Sequence, residues 1–342
     1  MCGIFGYTGK NNATNVLLDG LSALEYRGYD SAGLFVAGTG AIKTVGAASN
    51  LRPKVPVSFK GETGIAHLRW ATHGEPTELN AHPHSDCKEN IWVVHNGIIE
   101  NHQELRKRLI LLGHTFRSET DTEVLSHLVE HYLHIYNDFE KAAISAIKEI
   151  RGTYGVVIAC DQEPKKLIAA RMGAPVVLGL GDGENFIASD PSPILRHTKN
   201  VIFLNDGEIA IFTATSHRLL TLDDKLIKRG AEILDVAPEE IQKGNHESFM
   251  LKEIMEGPEV VHNTLRGRLI VEEGLAKLGG IEMIADRLRE IKRIVIIGCG
   301  TAYYAGLVGE YMLEEYGGIP TEVEIDSKFR YRKPLVDAET LV

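Results

Sequence analysis

The sequence predicts an α/β (α+β) protein of two domains, with layered sheets and helices over about the first 220 residues and a βαβ unit towards its other end. Three observations carry this. The chain has 342 residues and is 44% apolar, enough to bury a core in each of two domains. From Gly155 to Leu219, short strand-like runs alternate with turns such as Gly181-Asp182-Gly183 and Asn205-Asp206-Gly207. Finally, residues 293–297, the loop Gly298-Cys299-Gly300, a helix from Thr301 to Tyr316 and residues 321–325 spell strand, loop, helix, strand.

The elements follow from local pattern. Residues 2–8 read as a strand, and a helix follows from about Asn12, with Leu17, Leu21 and Leu24 at helical spacing before Gly28 stops it. Strands are expected near 31–37, 41–46 and 63–68. The run Ile91-Trp92-Val93-Val94 is apolar without alternation, as in a strand covered on both faces, and ends in His95-Asn96-Gly97. Asn101 with Glu104 and Thr120 with Glu123 resemble capping boxes opening two helices, the first stopped by Gly113 and the second running to about Tyr136. Helical rhythm continues over 142–150. A polar connector with Pro238, Glu239, Lys243 and Gly244 places the domain boundary, giving domains at 2–230 and 251–342 joined by a linker over 231–250. Helical segments are expected over 247–290, one begun by Pro258.

Composition excludes several function classes. A formal charge of -10 and the lack of a basic stripe disfavour nucleic acid as a partner. No apolar run reaches the roughly 18 residues of a membrane span, and no export signal opens the chain. The four cysteines, Cys2, Cys87, Cys160 and Cys299, are irregularly spaced without a CxxC pair, which fits a reducing, cytoplasmic setting rather than a disulfide scaffold. His82-Pro83-His84 lacks a nearby acidic or cysteine partner, so neither metal nor cofactor is assigned. Gly298-Cys299-Gly300 does not extend to a dinucleotide fingerprint, since Tyr303 stands at the third glycine.

The residues that suggest chemistry begin at position 2. Removal of Met1 would put a thiol and a free α-amine on Cys2, and an amine of pKa about 7.7–8.0 can accept the proton of a thiol of pKa about 8.5. The competing reading is a small buried cysteine at a strand start. Arg69, at a strand end, is suited to gripping a carboxylate with two parallel hydrogen bonds, or to an ordinary surface ion pair. His73 reads equally as a structural or a positioning group. Asn96-Gly97 is either a turn or a pair of donors, one side-chain and one backbone, for a developing oxyanion. Asp121 opens a helix, where the dipole favours a carboxylate whatever its function.

In combination, Cys2-Gly3-Ile4-Phe5-Gly6, Tyr26-Arg27-Gly28-Tyr29-Asp30-Ser31, Arg69 to Gly74, Asn80-Ala81-His82-Pro83-His84, His95-Asn96-Gly97 and Thr120-Asp121-Thr122-Glu123 resemble the class II, N-terminal-nucleophile glutamine amidotransferases. Tyr26 to Ser31 and Met250-Leu251-Lys252-Glu253-Ile254 point within them to the glutamine:fructose-6-phosphate aminotransferase family. The resemblance implies a four-layer αββα domain followed by the start of a sugar-isomerase domain. It implies Cys2 as nucleophile, Asn96 and Gly97 as the oxyanion hole, and Arg69, Thr72, His73 and Asp121 as the glutamine site. Trp70 matches the gate of an internal ammonia channel and Arg27 a contact at the glutamine site. Thr301 would lie beside a sugar phosphate, although Ala302 departs from the usual serine. The implied partners are glutamine and, in the whole family enzyme, fructose 6-phosphate, with a homodimer formed through the isomerase domain. The chain stops at Val342, inside what reads as the second strand of that domain, so the isomerase chemistry is expected to lie beyond it.

Overall fold

The computed structural model describes residues 2–70, 75–235, 246–247, 249–270, 274–277, 281 and 284–342. The chain divides into two compact units, residues 1–249 and 250–342. Most of the connector read at 231–250 lies outside the described residues.

The first unit is built on two antiparallel sheets. Its strands are β1 (Gly3–Gly9), β2 (Ser31–Val36), β3 (Gly40–Val45), β4 (Thr63–Arg69), β5 (His84–Ser85), β6 (Ile91–Ile99), β7 (Gly152–Cys160) and β8 (Leu167–Met172). They continue with β9 (Val177–Leu180), β10 (Glu184–Ala188), β11 (Asn200–Phe203), β12 (Glu208–Phe212), β13 (His217–Thr221), β14 (Leu226–Ile227) and β15 (Glu232–Ile233). One sheet has the order β15-β11-β9-β10-β1-β4-β2-β3, the other β14-β13-β12-β8-β7-β6-β5. The helices are α1 (Ala13–Ala23), α2 (Ala48–Leu51), α3 (His102–Leu111), α4 (Glu123–Tyr136) and α5 (Phe139–Glu149).

Strand periodicity sorts the apolar side chains into three layers. Phe5 and Tyr7 of β1 pack with Leu17 and Leu21 of α1, whereas Ile4 of the same strand faces the other sheet. Val93 and Val156 pack under Val124, Leu128 and Ala143 of α4 and α5, whereas Trp92, Val94 and Val157 point between the sheets. Helices therefore cover both outer faces, and the order is helix, sheet, sheet, helix. This is why residues 91–94 read as apolar without alternation.

Several local expectations are corrected. Residues 95–97 do not end their strand: β6 continues to Ile99, with Asn96 opposite Gly155 and Gly97 opposite Tyr154 of β7. Neither capping box forms. Asn101 instead donates to the Glu149 carbonyl and accepts from the Arg151 N–H, and Thr122 sits at the N-cap of α4 without a side-chain cap bond. The Glu123 carboxylate turns back to accept from the N–H groups of Arg117 and Ser118. Gly28 ends a short 3-10 turn over Glu25–Arg27 rather than α1 itself.

In the second unit, α6 (Phe249–Leu265) contains Pro258 inside one helix, so no second helix begins there. The remaining stretch to 290 holds a minimal hairpin, β16 (Leu269–Ile270) with β17 (Leu275–Ala276), and one helical turn, α7 (Ala285–Leu288). The expected βαβ unit follows: β18 (Arg293–Gly298), α8 (Thr301–Gly317) and β19 (Thr321–Ile325), with β18 and β19 parallel. After α9 (Asp326–Tyr331), β20 (Thr340–Leu341) pairs on the other side of β18. The residues at Val342 thus adjoin a third strand of this sheet, not its second. Among the described residues no helix is long and apolar enough to cross a membrane.

Phe35 of β2 and Trp92 of β6 stack across the two sheets, centroids 4.9 Å apart, and both are buried. Phe35→Ala should cost about 3–5 kcal/mol through lost transfer energy and the cavity left behind. Denaturant unfolding read by tryptophan fluorescence measures it, and a loss below about 1 kcal/mol would contradict an inter-sheet core at this position.

Candidate active site

The antiparallel pairing of β1 with β4 and of β4 with β2 brings Cys2, Arg69 and the Tyr26–Ser31 motif to one end of the first sheet. Cys2 precedes β1, and the Trp70 N–H donates to its Sγ at 3.2 Å. Burial pushes the Cys2 thiol up; the Trp70 N–H, the N-terminal amine, Arg69 and Arg27 pull it back only in part. The resting sulfur is therefore a thiol. Among the described residues its only hydrogen-bond partners are the Trp70 N–H and carbonyl, so no side-chain base touches it.

The Cys2 carbonyl is held from two sides, by Asn96 Nδ2 at 3.0 Å and Arg27 Nε at 3.3 Å. Arg27 is kept in place by Asp190 at 3.2 Å. Gly28 runs under the end of β4, where a Cβ would lie 2.9 Å from the Arg69 carbonyl carbon. The Asp30 N–H closes this contact by donating to the Arg69 carbonyl. The motif thus places a cation at Cys2 and lets two backbones approach where no larger residue fits.

Asn96 is fixed as well as placed. His67 of β4 is 1% exposed, and its Nε2 lies 3.0 Å from Asn96 Oδ1 and 3.1 Å from the His95 carbonyl. Both are acceptors, so Nε2 carries the proton and the amide oxygen points to His67. The Asn96 NH2 must then face Cys2. Burial pushes the His67 pKa down to about 3, so the ring stays neutral and keeps this tautomer. Gly97 has φ +127°, and a Cβ there would meet the Thr153 carbonyl oxygen at 2.0 Å. Only glycine fits this point of β6.

Asp121 comes from the segment between α3 and α4. The motif at Asn80 to His84, which alone suggested nothing firmer than a weak metal pair, stitches that segment down. Asn80 Nδ2 lies 3.2 Å from Glu119, His82 Nε2 2.9 Å from Thr122 Oγ1, and His84 Nε2 3.0 Å from Thr120 Oγ1. His95 Nε2 donates to the Thr153 carbonyl, leaving Nδ1 to accept from Thr122 at 2.9 Å. One Asp121 oxygen accepts from the Ile99 N–H at 2.7 Å. The carboxylate also lines the pocket.

That pocket is lined by Cys2, Arg69, Trp70, Gly97, Thr120 and Asp121, together with His82, His95 and Thr122. Arg69 is 4% exposed, and its guanidinium also reaches the Glu75 carbonyl. Of the residues singled out from sequence, Cys2, Arg69, Trp70, Gly97 and Asp121 meet here, while Asn96 and Arg27 act on the Cys2 carbonyl from its rim. Thr72 and His73 lie outside the described residues. Thr301 is exposed at the start of α8 in the second unit. Sequence reasoning missed His67, Thr122 and Asp190. Thr122 stands inside the quoted 120–123 motif, but His67 and Asp190 carry no local signal and are found only by pairing.

The buried histidines generate a pH prediction. His67, His82, His84 and His95 are all pushed below the usual histidine value, chiefly by burial, whereas His127 alone among them moves up because Glu123 and Glu130 outweigh its burial. Below about pH 6.5 the unfolded chain takes up protons that these four folded rings resist, so their contribution is full above that pH and is lost as pH falls through the folded values, about 3 for His67. Urea midpoints should therefore drop between pH 6.5 and 5, less steeply in His67→Gln. A midpoint independent of pH across that window would contradict neutral buried rings.

Comparison with known proteins gives the family. A glutamine amidotransferase domain family matches residues 67–196 and the SIS domain family residues 287–342. The chain is 47% identical over 353 residues to the glutamine–fructose-6-phosphate aminotransferase (isomerizing) of Chlorobaculum tepidum, and 48% over 345 residues to that of Thermus thermophilus. Each alignment covers 100% of this chain but 57% and 56% of the relative, so the chain spans little more than half the length of these proteins. A glutamine phosphoribosylpyrophosphate amidotransferase from B. subtilis, solved with ADP and GMP, superimposes with a TM-score of 0.57 at 19% identity, over 94% of this chain and 65% of that one. An allosteric regulatory enzyme of purine biosynthesis gives 0.56 at 23% identity, over 65% and 49%. At such identities these two show the fold alone, the class II amidotransferase fold. With the sequence match running from end to end, the chain belongs to the class II glutamine amidotransferases, in the glutamine–fructose-6-phosphate aminotransferase family.

Proposed function

We propose that this chain hydrolyses L-glutamine to glutamate and ammonia through a thioester on Cys2. The observation that carries the reading is one pocket lined by a thiol, a guanidinium, a carboxylate and the Gly97 backbone. Arg69 pairs with the α-carboxylate of glutamine and Asp121 with its α-ammonium, which leaves the side-chain amide to reach Cys2. Thr72, His73 and Trp70 complete the glutamine site, with Trp70 as gate to an ammonia channel and Arg27 as support of the Cys2 carbonyl.

With Met1 removed, the α-amine of Cys2 takes the thiol proton that burial otherwise retains. The thiolate adds to the amide carbon, and the oxyanion is met by the second N–H of Asn96 and the Gly97 N–H. Collapse expels ammonia, which carries the proton returned by the ammonium. Water, deprotonated by the same amine, then opens the thioester and frees glutamate.

Residues 2–230 form the glutaminase domain in this reading, 231–250 the linker, and 251–342 the first part of the sugar-isomerase domain with Thr301 beside the sugar phosphate. The relatives are named for amination of fructose 6-phosphate, and we propose that this chain supplies the ammonia for that reaction in the whole protein, a homodimer of the cytoplasm. Incubation with glutamine, with and without fructose 6-phosphate, and separate measurement of glutamate, ammonia and amino sugar tests the assignment. No glutamate from protein lacking Met1 would contradict it.

Asn96→Ala should lower kcat by about 10²–10³ with a smaller change in KM, because its donor acts mainly on the oxyanion, whereas Cys2→Ala should abolish turnover and still bind glutamine. Steady-state kinetics and calorimetry read these outcomes. An effect of Asn96→Ala confined to KM would make it a binding residue instead.

A further inference from the structure

We infer that the first unit carries a structural zinc site that ties the segment bearing Asp121 to the protein, with Cys87, His114, His127 and Glu130 as its four ligands. These residues play no part in the glutamine site. They come from three places: Cys87 from the loop after β5, His114 from the connector after α3, and His127 with Glu130 from one face of α4, three residues apart. One ligand atom from each lies within 4.8 Å of all the others. That dispersal along the chain is why no metal motif was legible in the sequence.

Four of the six ligand separations lie close to those of a tetrahedron around zinc. Zinc bonds of about 2.3 Å to sulfur and about 2.0–2.1 Å to nitrogen or oxygen set S···N near 3.5 Å and N···O near 3.3 Å. Cys87 Sγ lies 3.6 Å from His127 Nδ1 and 3.8 Å from His114 Nδ1. Glu130 Oε2 lies 2.9 Å from His114 Nδ1 and 3.5 Å from His127 Nδ1. Thiolate, two imidazoles and a carboxylate form a borderline-soft donor set that suits zinc better than magnesium or calcium. The side chains of His127, Glu130 and His114 are 1%, 6% and 8% exposed and Cys87 is half-buried, so the site lies largely inside the protein, as structural zinc sites do.

The surroundings are arranged for a ligated thiolate and oriented rings. The Thr115 N–H points at Cys87 Sγ, 3.4 Å away. His127 turns its other nitrogen to Glu123, 3.5 Å away, the carboxylate–histidine arrangement that fixes a metal-binding ring. Buried His127 Nε2 otherwise has no hydrogen-bond partner among the described residues. Glu123 in turn binds the Arg117 and Ser118 N–H groups, two and more residues before Thr120 and Asp121. Zinc uptake releases the Cys87 thiol proton, and a second proton from His127 when that ring is charged, and leaves both imidazoles neutral with hydrogen on Nε2, replacing the hydrogen bonds that Glu130 Oε2 makes to the two rings.

The test uses the whole chain without an affinity tag, purified from zinc-supplemented medium, analysed for metal, then stripped with a chelator and titrated with Co²⁺. About one zinc ion per chain is expected, followed on cobalt addition by the visible spectrum of a tetrahedral ion with a thiolate charge-transfer band. Cys87→Ser should lose that band, and Cys2→Ser should keep it. No stoichiometric uptake by the unsubstituted chain, an octahedral cobalt spectrum, or a thiolate band that survives Cys87→Ser would each overturn the site, and the first two need no variant to fold.

Discussion

The first unit depends on one chain of hydrogen bonds that crosses between its sheets: His67 of β4 to Asn96 of β6, and Asn96 to the carbonyl of Cys2 at the head of β1. Between the sheets Ile4, Phe35, Trp92, Val94 and Val157 form an apolar layer. Dispersion and burial hold that layer together but give no direction. The asparagine amide supplies direction, because its oxygen has one donor to face and its NH2 one carbonyl. The His95 carbonyl makes the choice unambiguous, because it faces the same His67 Nε2 and so requires the proton there. Position of the nucleophile and orientation of the group beside it therefore follow from the same buried ring.

A second constraint is the fastening of residues 117–123. This segment has little apolar content, so packing alone would not hold the Asp121 carboxylate against the end of β6. Asn80, His82 and His84 do it by hydrogen bonds to Glu119, Thr122 and Thr120, and Glu123 folds back onto Arg117 and Ser118. On its other side the same stretch meets the cluster of Cys87, His114, His127 and Glu130. The carboxylate is thus anchored from the sheet side and from the helix side.

Much of this was legible in the sequence, for reasons that differ by residue. Strand and helix order came from apolar periodicity, and the βαβ unit from its glycine loop. Cys2 stood out because position 2 is chemically singular, and Arg69, Asn96, Gly97 and Asp121 because they sit in motifs with a recognisable order. The failures share a cause. Capping boxes at Asn101 and Thr120 were read from neighbours three residues on, but those side chains are drawn away by partners elsewhere in the fold, Glu149 and Arg151 for one and Ser118 and His84 for the other. The strand was read as ending at His95-Asn96-Gly97 because an Asn-Gly pair is a common turn signal, whereas pairing with β7 carries the strand through it to Ile99. His67 and Asp190 were invisible because their significance lies in contacts 29 and 163 residues distant.

The central claim is that Cys2 is the nucleophile and that it acts as the N-terminal residue. An electrophilic glutamine analogue, with a diazoketone in place of the side-chain amide, tests both parts in one mass spectrum. Incubated with the chain, digested and sequenced by fragmentation, the protein should carry a single adduct on the sulfur of a peptide that begins at Cys2, with Cys87, Cys160 and Cys299 unmodified and excess glutamine slowing the labelling. An adduct on one of those other cysteines, or an unmodified Cys2 in protein that still hydrolyses glutamine, would contradict the account.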